Sequence, residues 1–379
     1  MKILFISHNA SRTGAPVLLL RLAKELAKNA SLQLGFLVDG NGPLIEDFKM
    51  AGIVCQWQYF PKNLLARIYD RLWKMIGLPQ FTFAEAHKRK IKNYVNGYDI
   101  ILVNTTWSIH MVRELELTGK KVMPYIHELQ VMASIKASPA DMQWLSAISY
   151  RTLVPCNYVK KFLIEQYHFE ENKMGLLHYI VSPATGINKR PAPRTDGLFR
   201  IGACGTLDWR KGYDLFLQVA LKMCHLENGK DIRFEWVGAD LQSVEYLILM
   251  TDIKKTGLEK YITIHGSVAE MGDYFSNWDL FLLTSREDPF PLVVQEAAAF
   301  GIPTVCFKGA GGITEFLKDD GGIAVDYLNI NQCCDAIDTI RNNPSLRSQM
   351  AETVRERSAE YNDAHVIASE FLSYCEDLS

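Results

Sequence analysis

Short apolar runs of three to seven residues recur along this chain, and the way they recur is what most limits its fold. Lys2–Ser7 reads K-I-L-F-I-S, with almost no polar interruption. A strand wet on one face alternates apolar and polar residues. A nearly continuous run marks a strand buried on both faces of a parallel sheet. His8 to Pro16 then reads as a polar turn, and Val17–Ala27 as a helix with Leu18, Leu22, Ala23 and Leu26 on one face. Further runs at Leu34–Val38, Tyr98–Asn104, Val122–Ile126 and Leu153–Cys156 read as strands. Helices are expected over Asn41–Ala51 and Val159–Tyr167.

The alternation stops at Ser182–Gly197, where three prolines, two glycines and no apolar period mark a linker. It then restarts. Phe199–Cys204, Phe234–Val237, Ile262–Ile264, Leu280–Leu283 and Thr304–Phe307 read as strands. A helix from Tyr213 turns Phe216, Leu217 and Ala220 inward, and the chain reads as helical from Ile330 onward. At 379 residues the chain exceeds what one core usually holds. The pattern therefore predicts an α/β protein of two doubly wound, Rossmann-like domains facing a central cleft, with ligands beyond the carboxyl ends of the strands.

Composition removes several function classes. A net charge of −2 gives no electrostatic case for a nucleic-acid partner. The eight cysteines are scattered without a C-x-x-C, and no two histidines lie three to five residues apart. They read as reduced core residues of a cytoplasmic protein, with no metal site expected. Lys2 leads straight into a strand, with no signal-peptide pattern. No apolar run approaches the ~18 residues of a membrane span. Residues 60–92 interleave aromatics with bases: Arg67, Tyr69, Arg71, Trp73 and Lys74, then His87 to Lys90 and Lys92. Two readings stay open. The segment lies on an anionic membrane surface, making the protein peripheral at the inner face of the plasma membrane. Or it is a solvated helix face whose aromatics enter the core.

Chemistry concentrates between Leu283 and Pro303, L-T-S-R-E-D-P-F-P-L-V-V-Q-E-A-A-A-F-G-I-P. A strand runs into a turn, and a helix follows with Pro291 at its first position. The open amides near Leu292 and Val293 form a ready anion site. Asp288 stands before the helix, and Glu296 lies eight positions on. The block D-P-F-P-L-V-V-Q-E-A resembles the E-G-F-G-L-V-x-L-E-A signature of retaining nucleotide-sugar glycosyltransferases with the GT-B fold, glycosyltransferase family 4 in particular. Gly205-Thr206-Leu207-Asp208-Trp209-Arg210-Lys211-Gly212 resembles the same family's G-R-L-x-x-x-K-G-x-D.

The resemblance implies roles residue by residue. Glu296 would grip the nucleotide ribose and Asp288 the transferred sugar, with Phe290, Pro291, Leu292 and Val293 along the sugar–phosphate turn. Lys211 would bind the diphosphate. Thr206 replaces the family's arginine, and Arg210 supplies the charge lost there. Such cations are needed because the leaving nucleoside diphosphate gains negative charge as the glycosidic bond breaks. Gly14, with Gly205, would face the diphosphate. The loops at Gly238 and Ser267 would lie near the base. His127, at the end of a strand, matches the family's acceptor-side histidine. Gly309-Ala310-Gly311-Gly312-Ile313-Thr314-Glu315 resembles its glycine-rich turn.

Domains of 1–185 and 186–358 follow, and a terminal segment 359–379 would return to the first domain, packed through Tyr361, Phe371 and Tyr374. The implied activity is retaining, metal-independent transfer of a sugar from a UDP- or GDP-sugar to a glycan or lipid-linked acceptor, without a cofactor, in bacterial surface polysaccharide synthesis. The chain contains no D-x-D triplet. A degenerate chain that only binds nucleotide or a protein partner, and a sugar-nucleotide epimerase, are the alternatives.

Overall fold

The computed structural model of the chain describes residues 1–58, 64–115, 117, 119–181, 195–225 and 229–376. The chain divides into two compact units, Met1–Pro155 with Lys160–Ile180 and Ala364–Ser379, and Cys156–Val159 with Val181–Asp363.

The first unit holds strands β1 (Lys2–Ser7), β2 (Gln33–Val38), β3 (Ile53–Gln56), β4 (Ile100–Asn104), β5 (Lys121–Tyr125), β6 (Thr152–Val154) and β7 (Met174–Leu176). They form one parallel sheet in the order β3-β2-β1-β4-β5-β6-β7. The second holds β8 (Phe199–Cys204), β9 (Ile232–Ala239), β10 (Ile262–Gly266), β11 (Leu280–Leu283), β12 (Thr304–Phe307) and β13 (Gly322–Val325). These are parallel in the order β10-β9-β8-β11-β12-β13. Each sheet is doubly wound, as the pattern predicts, and reverses direction once, between β1 and β4 and between β8 and β11. Crevices for ligands open at such reversals, beyond the strand carboxyl ends.

The cores explain the unbroken runs. Ile3 to Ile6 and Ile101 to Val103 are fully buried, covered on both sheet faces. Phe5 stacks on Phe36 with ring centres 5.3 Å apart, and Phe36 meets Phe48 of the helix Ile45–Ala51 at 4.8 Å. In the second unit Phe216 of the helix Tyr213–Cys224 meets Phe234 and Trp236 of β9 edge-on, at 5.5 and 5.2 Å. Each such side chain taken out of water stabilises its unit by about 1.5–3 kcal/mol.

Several elements differ from expectation. The first helix is Gly14–Leu26, so Gly14 opens a helix rather than sitting in a loop. Asn41–Ala51 shortens to Ile45–Ala51. β3 and β7 were not expected; both are edge strands, only four and three residues long, and Ile53 of β3 is exposed. Helices Gln130–Lys136, Pro139–Ile148 and Val244–Lys255 were likewise not expected. The segment after residue 63 forms helices Leu64–Met75 and Phe83–Asn96, but its aromatics do not enter the core: Tyr69, Phe81 and Phe83 are exposed.

The terminal helix begins at Ala364, because residues up to Tyr361 continue the helix Pro344–Tyr361. Phe371 is buried in the first unit, and the Tyr374 hydroxyl donates to the Leu176 carbonyl at 2.9 Å. Tyr361 instead packs edge-on against Phe316 of the second unit, at 5.3 Å. The linker expected at Ser182–Gly197, the 185/186 boundary and the start of the basic segment at Phe60 fall largely or wholly outside the described residues. All eight cysteines are free thiols. Among the described residues, no helix is long and apolar enough to cross a membrane.

Candidate functional site

In the second unit the turns leaving β8 and β11 lie side by side, because those strands are neighbours at the sheet's reversal. Asp208 organises the first turn: its carboxylate accepts from the Lys211 amide at 2.8 Å and the Thr206 hydroxyl at 2.7 Å. Thr206 is therefore committed within its own turn. Gly212 closes that turn with a left-handed φ of +68°, and a Cβ there would fall 2.1 Å from the Thr284 carbonyl oxygen. Only glycine allows the two turns to meet so closely. Arg286 clamps them further. Its guanidinium takes Asp214 in a bidentate grip at 2.8 and 2.7 Å and donates to the Trp209 carbonyl at 2.9 Å.

This frame brings Lys211 and Asp288 together across 77 positions, with Nζ 2.5 Å from Oδ2. Arg210 stands 3.6 Å from the other carboxylate oxygen and donates to the Glu287 carbonyl at 3.2 Å. The Ser285 hydroxyl adds a contact of 3.3 Å. Asp288 is buried, which by itself pushes its pKa up. The Lys211 and Arg210 charges outweigh that and hold it below the usual carboxylate range. The glycine-rich turn seats the Asp288 backbone: the Asp288 amide donates to the Ala310 carbonyl, and a Cβ on Gly311 would strike the Asp288 carbonyl oxygen.

The helix after this turn is Leu292–Ala299, and Pro291 is its cap, in extended conformation with ψ of 119°. The helix thus starts one residue later than expected, with Pro291 just before its first turn, and the open amides belong to Leu292 and Val293. Phe290 is buried. Glu296, partly buried one turn on, reaches the same region. Burial pushes the Cys204 thiol, at the end of β8, up to about 12, with Lys211 opposing and Glu296 adding to the shift. Gly205 and Gly238 also meet here, since a Cβ on Gly238 would sit 3.0 Å from the Gly205 carbonyl. Ser267, just past β10, is exposed and two strands away from β8.

The first unit gathers a second set at its own reversal. Asn104, at the end of β4, is fully buried. Its amide nitrogen donates to the Ala15 carbonyl at 3.0 Å, and its oxygen faces His127 Nε2 at 2.8 Å. That bridge joins the helix opened by Gly14 to His127, past the end of β5. Nε2 is therefore the donor, and Nδ1 accepts from the Tyr179 hydroxyl at 3.1 Å. Burial, with His8 nearby, pushes His127 down to about 3, so its ring is neutral. Glu128 beside it is pushed up to about 7 by burial, although the His127 and Thr106 amides donate to it.

Thr105 holds φ of +70°, a strained conformation for a β-branched residue and one that clusters at functional sites. A cavity of about 520 Å³ opens beside it, lined by His8, Asp39, Trp107, His110, Arg113 and Lys136 among others. Asn104, Asp208 and Arg286 form no sequence motif of their own. Only their place at strand ends, or inside a matched block, could have singled them out. Among the described residues no group of three or more His, Cys, Asp or Glu could hold a metal ion.

Two doubly wound parallel domains are the architecture of GT-B glycosyltransferases, and solved structures of that class share it. Anabaena HepE, crystallised with UDP, superposes with a TM-score of 0.80 over 100% of both chains at 16% identity. Residues 187–357 match the family model "Glycosyl transferases group 1". An uncharacterized glycosyltransferase of Haemophilus influenzae is 25% identical over 199 residues, 52% of this chain and 55% of its own. The amylovoran biosynthesis glycosyltransferase AmsD of Erwinia amylovora is 27% identical over 162 residues, 43% of this chain and 44% of its own. The matched region spans about half the length of these curated relatives.

Proposed function

We propose that the chain is a retaining, metal-independent glycosyltransferase that moves a sugar from a UDP- or GDP-sugar to a glycan or lipid-linked acceptor. The observation that carries this is the buried Lys211–Asp288 pair, with Arg210 beside it, at the opening of the helix that bears Glu296. The pair is preorganised to change partners. When the donor arrives, Lys211 and Arg210 turn to the diphosphate, and the Leu292 and Val293 amides add their dipoles. Asp288, still held by Ser285, then accepts from a sugar hydroxyl, and Glu296 accepts from the ribose. Gly205, Thr206 and Gly238 border the phosphates, and Ser267 the base.

In the first unit, Gly14, the first residue of the helix Gly14–Leu26, serves the diphosphate. His127 positions the transferred sugar as a neutral ring and does not serve as an acid. The acceptor takes the cavity beside Trp107. The bond from the anomeric carbon to phosphate breaks as the acceptor oxygen attacks from the same face, and the leaving phosphate takes the acceptor's proton. The proposal extends to bacterial surface polysaccharide synthesis, with the enzyme peripheral at the inner face of the plasma membrane; the relative AmsD, named for amylovoran biosynthesis, supports a biosynthetic role and does not bear on the membrane.

A panel of UDP-, GDP- and ADP-sugars tests the reading, with release of nucleotide and the product's anomeric configuration as readouts. Glu296→Ala and Lys211→Ala are each expected to abolish transfer with circular dichroism unchanged. Near-normal turnover in either folded variant contradicts the assignment. Nucleotide binding without turnover on any donor marks a binding protein, and donor turnover without an acceptor marks an epimerase.

A further inference from the structure

The helix Leu64–Met75 is turned inside out relative to an ordinary surface helix. At 3.6 residues per turn, Leu64, Leu65, Ile68, Leu72 and Met75 fall within about 100° of arc. That stripe should face a core. Instead all five point to solvent, from 47% exposed at Ile68 to 75% at Met75. What faces the protein is the opposite side, where Asp70 is buried and accepts from the Phe83 amide at 2.7 Å. Ile76, Leu78, Phe81 and Phe83 continue the exposed apolar surface. Tyr69 and Trp73 border it, packed on Phe83 and Phe81 with ring centres 4.8 and 5.0 Å apart.

We propose that this helix lies in the headgroup region of an anionic lipid bilayer, apolar stripe down. Charge selects the occupant. Between residues 64 and 84 the only acid is Asp70, which is turned inward, while Arg67, Arg71 and Lys74 are exposed along one edge of the stripe. Arg89 and Lys90 on the following helix are exposed as well. An apolar face edged by bases, with aromatics at the border, is the pattern of helices that bind acidic lipid surfaces. A second copy docking about a two-fold axis would bring the same patch, and so the same bases, against each other. The proposal rests on the preceding reading only for the choice of the cytoplasmic leaflet, and its chemistry is separate from transfer.

Sedimentation of the full chain with vesicles tests it, comparing phosphatidylcholine alone with equal parts phosphatidylcholine and phosphatidylglycerol. Binding is expected only to the mixed vesicles and should weaken with added salt. Each base near an anionic surface contributes about 1 kcal/mol, fivefold in partitioning, so R67Q/R71Q should bind about thirtyfold more weakly. L65E/L72E, altered only at exposed positions, should not sediment and should keep the parent's melting temperature. Donor turnover should be unchanged in both variants, so a chain that binds vesicles but turns over no donor sinks the transferase reading and leaves the docking surface standing. The proposal is overturned by equal binding to both vesicles, by no binding to either, by variants that sediment like the parent, or by a solution dimer that L65E/L72E dissociates.

Discussion

Replacing Lys211 with Met keeps the side-chain stem and removes the cation nearest a buried carboxylate. Breaking a buried ion pair from one side costs about 3–5 kcal/mol, because the remaining charge has lost its partner but not its desolvation. Here Arg210 remains 3.6 Å away, and the Ser285 hydroxyl 3.3 Å away. The loss should therefore sit near the low end, about 3 kcal/mol. In a unit of this size a transition moves roughly 2–4 °C per kcal/mol, so about 6–12 °C is expected. Lys211→Met/Asp288→Asn should lose less than the two single variants summed, by about 2 kcal/mol, since neither charge is then stranded. Differential scanning calorimetry follows this, provided the transition of the second unit is resolved from that of the first.

Acidity gives a second handle on the same pair. A carboxyl held below its ordinary pKa stabilises the fold above the unfolded value, near about 3.9, and that contribution fades as pH falls through the lower folded value. The gap between parent and Lys211→Met should therefore narrow below about pH 4. Strictly additive losses, or a gap that ignores pH, would refute the claim that Lys211 and Asp288 form one energetic unit.

Two further outcomes are expected. Gln295 is fully buried, and neither atom of its amide has a hydrogen-bond partner among the described residues, so Gln295→Leu should raise stability by about 1–3 kcal/mol in urea denaturation while leaving donor turnover unchanged. Glu128 binds its proton more tightly folded than unfolded, with a pKa pushed from 4.5 to about 7, so stability should fall as pH rises through that window, and Glu128→Gln should flatten the dependence.

Much of the second unit is legible in its residues. Phe199–Cys204 and Thr304–Phe307 are strands at their expected bounds, because buried central strands write a continuous apolar run. Short edge strands such as β3 and β7 leave no comparable mark. The helix that bears Glu296 is announced by Pro291 and ended near Gly301, although the proline caps the helix instead of opening it.

The sequence by itself determined that two parallel α/β sheets form and which turns carry charge, because periodicity and turn chemistry act between near neighbours in the chain. Only the tertiary structure decided that Lys211 spends its charge on Asp288, that Asn104 ties Ala15 to His127, and that Leu64–Met75 turns its apolar stripe outward. Each depends on which strand lies beside which, and on how much water remains around the groups so assembled. Residues far apart in the chain set both, and no local pattern records them.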